Sequence, residues 1–137
     1  HGNVADFLGR APSTGGAVII EIKTPGKPLL GSIYRQVFPP SRDVSGALSQ
    51  VLQYRENLML EMFAVARNLP VQLTPCEPRC VVIVGHAGRE LVDEDKRRAF
   101  ERFRERLTGV VVITFDEVFA RVESMISLLE TQDDCPF

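Results

Sequence analysis

Residues 110–117 read VVVITFDE. Four β-branched residues in a row suit a strand kept from water on both faces, because a half-solvated strand would alternate apolar with polar. Thr114 and Glu117 have the capping-box spacing, in which each side chain can satisfy an amide at a helix start. The stretch therefore predicts a strand running directly into a helix that continues to about Glu130. Upstream, CVVIV at residues 80–84 is closed by Gly85, Asp93 opens a helix with Ala99, Phe100, Phe103 and Leu107 on one side, and Gly109 stops it. Strand, helix, strand, helix with continuously apolar strands predicts a parallel pair joined by a crossover, which is an α/β arrangement.

The first half of the chain fits the same class. A short apolar patch from Val4 to Leu8 surrounds Asp6, and a turn-rich stretch from Gly9 to Gly16 follows. The run AVIIEIK at 17–23 then completes two strands joined by a loop, stopped by Thr24-Pro25-Gly26. Four prolines and two glycines between Pro25 and Arg42 read as a long loop, and loops of that length inside a compact domain are commonly functional. Asp43 is expected to cap a helix carrying Val44, Ala47, Leu48, Val51, Leu58, Met62, Val65 and Leu69 at helical spacing, ending near Asn68.

Composition narrows the class. The 137 residues, 45% hydrophobic and 25% charged, are expected to form a single globular domain over 1–137. No apolar run approaches the roughly 20 residues that cross a bilayer and no signal sequence opens the chain, so a soluble cytoplasmic protein without a membrane partner is expected. Cys76, Cys80 and Cys135 are an odd set with no disulfide framework. Cys76 and Cys80, with His86 nearby, lack the two-residue separation usual for zinc and read as spare thiols. The net charge of −2 gives no overall pull on nucleic acid. Locally the balance differs, because from Ile22 to Arg42 the only charged residues are Lys23, Lys27, Arg35 and Arg42. A second basic cluster, Lys96, Arg97, Arg98, Arg102, Arg104 and Arg106, is diluted by Glu101 and Glu105 and reads as a solvated helix face.

Asp6, Glu21 and Lys23 put charge among apolar strand residues, where an unpaired charge is costly. Period-two alternation places Glu21 and Lys23 on one face, and Asp6 on a paired strand would join them. The simple reading is a salt bridge. The chemical one is two carboxylates that hold a hard divalent cation beside an ammonium, parts that fit phosphodiester hydrolysis. Gln50 and Tyr54, one helical turn apart, would project from a common face towards the phosphate or Lys23, or else be a surface amide and a partly buried aromatic.

In that order, Asp6, Glu21-Ile22-Lys23 and Gln50-x-x-x-Tyr54 resemble the PD-(D/E)xK nuclease superfamily, in its Gln-x-x-x-Tyr branch. The segments DFLG, VIIEIKTPGKPL, SGALSQVLQY, VVIVGH and LTGVVVITFDEVFAR are similar to the C-terminal nuclease domain of Shedu antiphage defence proteins, from Val4 to about Leu129. The resemblance implies a restriction-endonuclease-like core, a central mixed β-sheet flanked by helices. It also implies Mg2+ (or Mn2+) on Asp6, Glu21 and the Ile22 carbonyl, with Lys23 as the catalytic lysine and Gln50 and Tyr54 as accessory residues. Lys27, Arg35 and Arg42 would contact DNA. The implied activity is metal-dependent DNA cleavage in antiphage defence, by a protein that is a homo-oligomer at full length. A helix and a strand normally precede the aspartate strand in that superfamily and only five residues precede Asp6, so the chain is expected to be a fragment of a longer protein. His86 stands where many relatives are expected to carry arginine. The alternative is a catalytically silent nucleic-acid-binding or oligomerisation module of the same fold.

Overall fold

In the computed structural model, which describes residues 5–66 and 77–130, four strands form one sheet in the order β1 (Phe7–Arg10), β2 (Ala17–Ile22), β3 (Arg79–Ile83) and β4 (Val110–Ile113). β1 runs antiparallel to β2, while β2, β3 and β4 are parallel. Helix α1 (Arg42–Ala66) makes the crossover from β2 to β3. The short α2 (Ala87–Glu90) and α3 (Glu94–Glu105) connect β3 to β4, and α4 (Phe115–Glu130) follows β4. The expected α/β class with a mixed sheet and flanking helices is present.

Both crossovers step across the sheet in the same direction, and right-handed connections then put α1 and α3 on the same face. Ile19, Cys80 and Val110 lie in register on that face, as do Glu21, Val82 and Val112. Val44, Ala47, Leu48 and Val51 of α1 and Phe100 of α3 complete one buried cluster with the apolar members of those rows. Each such side chain contributes roughly 1.5–3 kcal/mol by leaving water. The opposite face differs from the expectation of strands buried on both sides. Phe7, Ile20, Val81 and Val111 form a row across all four strands there, with Phe7 57% and Val111 54% exposed. The cause is topological, since neither crossover helix reaches that side.

Two element starts are corrected. Ser41, not Asp43, caps α1: its Oγ accepts from Val44 N at 3.1 Å and donates to the Pro28 carbonyl at 2.6 Å. Asp43 falls within the first turn, where its charge complements the helix dipole, and pairs with Lys27 Nζ at 3.2 Å. β1 begins at Phe7, so Asp6 stands just before the strand rather than inside it. The expected helix starts at Asp93 and Thr114 are found, with Asp93 accepting from Lys96 N and Glu117 Oε2 accepting from Thr114 N, both at 2.9 Å. The α1 terminus expected near Asn68 lies outside the described residues, as do Cys76 and Cys135.

The proline-rich stretch after β2 is an arm rather than an open loop. Leu29 is fully buried in the core and roots it. Above that root Ser41 N donates to Leu29 O at 3.0 Å and Gly31 N to Pro39 O at 2.8 Å, and Leu30 bridges Pro40. At the tip Tyr34 and Val37 exchange both backbone hydrogen bonds, at 2.8 and 3.0 Å. The root also explains Gly85. Its φ is +64°, and a Cβ there would stand 2.6 Å from Leu29 Cδ2 and 2.8 Å from the Lys27 carbonyl oxygen.

Candidate active site

Period-two geometry brings Glu21 and the start of Lys23 to the α1 face of β2, where Glu21 is only 6% exposed. Lys23 Nζ donates to Glu21 Oε1 at 2.7 Å and to Gln50 Oε1 at 2.9 Å. The Glu21–Lys23 pair and α1 are therefore joined through one ammonium. Tyr54, a turn beyond Gln50, is half-buried against the core cluster, and no hydrogen bond joins it to Lys23 among the described residues.

Asp6 enters from the other side of β2. Lys23 N donates to Ile83 O on the β3 side, so alternation turns the N–H and C=O of Ile22 towards β1. There Asp6 Oδ2 accepts the Ile22 N–H at 2.7 Å. Asp6 is thus held on the main chain of Ile22, the residue between Glu21 and Lys23, at the end of β2. Among the described residues no three His, Cys, Asp or Glu side chains gather as a metal cluster. Cys80 is buried, and burial pushes its thiol up.

The predicted DNA-contacting cations are spread along the arm. Lys27 is tied to Asp43 at the root, Arg35 is at the tip with its guanidinium 5.4 Å from the Tyr34 ring centroid, and Arg42 is exposed at the first position of α1. The second basic cluster is in part not a solvated face. Arg104 bonds Glu117 at 2.8 Å and also Glu101, and packs over Phe100, because α3 turns this side towards α4.

A family model described as "Shedu protein SduA, C-terminal" matches residues 2–119. The chain belongs to this Shedu family. The Shedu protein SduA of Bacillus cereus (strain B4264) is 42% identical over 139 aligned residues, which cover 94% of this chain and 36% of that protein. This Shedu chain thus spans about a third of the length of the relative it matches. No helix among its described residues is long and apolar enough to cross a membrane.

One polar cluster of the Shedu chain escaped sequence reading because its members are thirty residues apart. Asp116, inside the capping box, turns back to α2 and accepts from Ala87 N at 2.8 Å and Gly88 N at 3.0 Å. Its Oδ2 stands 3.5 Å from Nδ1 of His86, the residue singled out after β3. Partial burial works to raise the Asp116 carboxyl, but hydrogen bonds, those amides among them, outweigh it and lower it from 3.8 to about 2. A carboxyl depressed on folding stabilises above its unfolded pKa, and that contribution is lost as pH falls from near 4 through about 2. Because the side chain is 29% exposed and solvent screens it, Asp116→Asn is expected to cost about 1–2 kcal/mol at pH 7. Urea unfolding at pH 7 and pH 3 tests this, and a deficit of equal size at both would contradict it.

Proposed function

We propose that this chain is a metal-dependent DNA endonuclease of the PD-(D/E)xK type, acting in antiphage defence within a longer, homo-oligomeric Shedu protein. The observation that carries the reading is Lys23, held by hydrogen bonds between buried Glu21 and Gln50 at the strand end where Asp6 meets Ile22. A plain salt bridge would not call for a glutamate 6% exposed, a second carboxylate on the next main-chain amide and a helix side chain aligning the lysine.

The donor set fits the implied ion. Two carboxylates and a main-chain carbonyl are hard oxygen donors with no imidazole or thiolate among them, and magnesium commonly takes one or two carboxylates, keeping its other positions for water and substrate phosphate. Asp6, Glu21 and the Ile22 carbonyl would hold Mg2+ or Mn2+. When bound, the ion supplies Lewis-acid polarisation of the phosphate and lowers the pKa of a water. The chain's own residues do the rest. Lys23 presents an ammonium where negative charge gathers on the phosphate oxygens, and charge placed beforehand needs no reorganisation during reaction. Gln50 accepts one Lys23 N–H and fixes its direction, while Tyr54 packs the helix segment behind it. Lys27, Arg35 and Arg42 supply phosphate contacts beyond the scissile position.

Calorimetric titration with magnesium or manganese tests the metal half of the reading, and incubation with DNA tests the cleavage half. Binding heat and metal-dependent cutting are expected for the unmodified protein, with both lost in Glu21→Gln. A protein that takes up neither ion and leaves DNA intact would instead be the catalytically silent module.

A further inference from the structure

We propose that the arm between Leu29 and Ser41 is a base-stacking platform for an unpaired stretch of the nucleic-acid substrate, with Tyr34 under a base and Arg35 on an adjoining phosphate. The assignment rests on the endonuclease reading and names the form of substrate that its site takes.

Four observations converge on the tip. The ladder below it and the buried Leu29 make the arm an ordered projection with a fixed direction. Its summit is apolar and open to water: Ile33 is 60%, Tyr34 62% and Val37 49% exposed. Water-facing aromatic surface is unfavourable in a free protein but offers a stacking partner to any base, since every base has a π-face. The charge is complementary as well, with every charged residue from Lys23 to Arg42 positive, and the Arg35 guanidinium already lies over the Tyr34 ring. Finally, the two-residue turn at the summit is Arg35-Gln36, with φ of +46° and +66°. Both are left-handed, as a type I′ hairpin turn requires, but Asn-Gly is the pair that adopts this without cost. Each residue here gives up about 1–2 kcal/mol. A sequence selected for the turn alone would not keep arginine and glutamine there.

Duplex bases are stacked on one another and offer no face to Tyr34, whereas a single-stranded stretch does. The platform therefore predicts a preference for unpaired nucleic acid. Anisotropy of labelled single-stranded DNA in EDTA, where no metal-dependent cleavage occurs, measures it. Tyr34→Ala is expected to weaken binding about tenfold, Tyr34→Phe to restore it, and the fully paired form of the same sequence to show no such difference. Arg35→Ala is expected to reduce the salt dependence by about 0.7 in log–log slope, one phosphate contact's share. Gln36→Gly, which relaxes the turn and leaves both contacts, is expected to bind as the unmodified protein does. A fluorescent adenine analogue should be quenched on binding only when an aromatic residue occupies position 34.

Equal affinity of Tyr34→Ala and the unmodified protein for single strands would overturn the platform, as would an equal loss on paired DNA or in Tyr34→Phe. If the protein still cuts DNA with magnesium in that case, the endonuclease reading survives alone. Failure to cut or bind DNA of any form would remove both.

Discussion

Replacing Lys23 by alanine is expected to slow magnesium-dependent DNA cleavage about 10^3-fold. The magnitude follows from what one preorganised charge contributes when aimed at a developing negative charge in a partly buried site. Lys23 meets both conditions, being 26% exposed and held by two hydrogen bonds, so its direction is fixed before substrate arrives. A stability loss accompanies the change. Glu21 keeps a buried carboxylate with its cation gone, at about 1–3 kcal/mol. Rates taken at saturating magnesium beside a thermal melt separate the two effects, because a folded variant that has lost cleavage places the loss in chemistry. Lys23→Ala cutting within tenfold of the unmodified rate would remove the lysine from the mechanism.

Gly85→Ala is expected to be among the most damaging single changes to the fold, at about 2–5 kcal/mol, although it adds one methyl group. The left-handed φ of +64° costs an alanine about 1–2 kcal/mol. Overpacking against Leu29 Cδ2 and the Lys27 carbonyl, at 2.6 and 2.8 Å, adds about 1–3 kcal/mol. Leu29 is anchored in the core and Lys27 presents backbone, so neither gives way as the end of a flexible side chain would. Gly26→Ala is the control: nothing lies within 4 Å of its Cβ position and its φ is unremarkable, so a change within about 0.5 kcal/mol is expected. Urea unfolding of both variants measures the contrast, and similar midpoints would contradict the packing account. Displacing Leu29 also shifts the arm root, so Gly85→Ala should weaken single-strand binding with Tyr34 intact.

The parallel half was legible because Val110 to Ile113 is apolar without interruption and its helix signals are adjacent in sequence; β4 begins and ends where VVVI does. The Glu21–Lys23–Gln50 contact was legible in part, since period two fixes the strand pair and helical spacing fixes the face of Gln50. Which of Ser41 and Asp43 caps α1 was not, because both can accept an amide and the choice turned on the Pro28 carbonyl, thirteen residues away. The arm was hidden for a related reason. Its rungs are isolated bridges between residues without strand pattern, and its turn uses Arg35-Gln36 where hairpin signals are sought in asparagine and glycine. The open row from Phe7 to Val111 was missed because apolarity reports what a side chain prefers, and only the direction of the crossovers says which face a helix can cover.

Helix α1 joins these parts in one further respect. Ser41 hooks its first turn to the arm root, and Gln50, nine residues on, grips the lysine. At 1.5 Å per residue these attachments lie roughly 13 Å apart along a single stiff axis. If a base sits on the arm and a phosphate at Lys23, as proposed, the two would be kept a constant span from one another, whatever the bases between them. On the endonuclease reading proposed above, the helix would then serve as a caliper: the cut would fall at a set offset from the gripped nucleotide, and the length left beyond it would be measured by protein rather than by sequence.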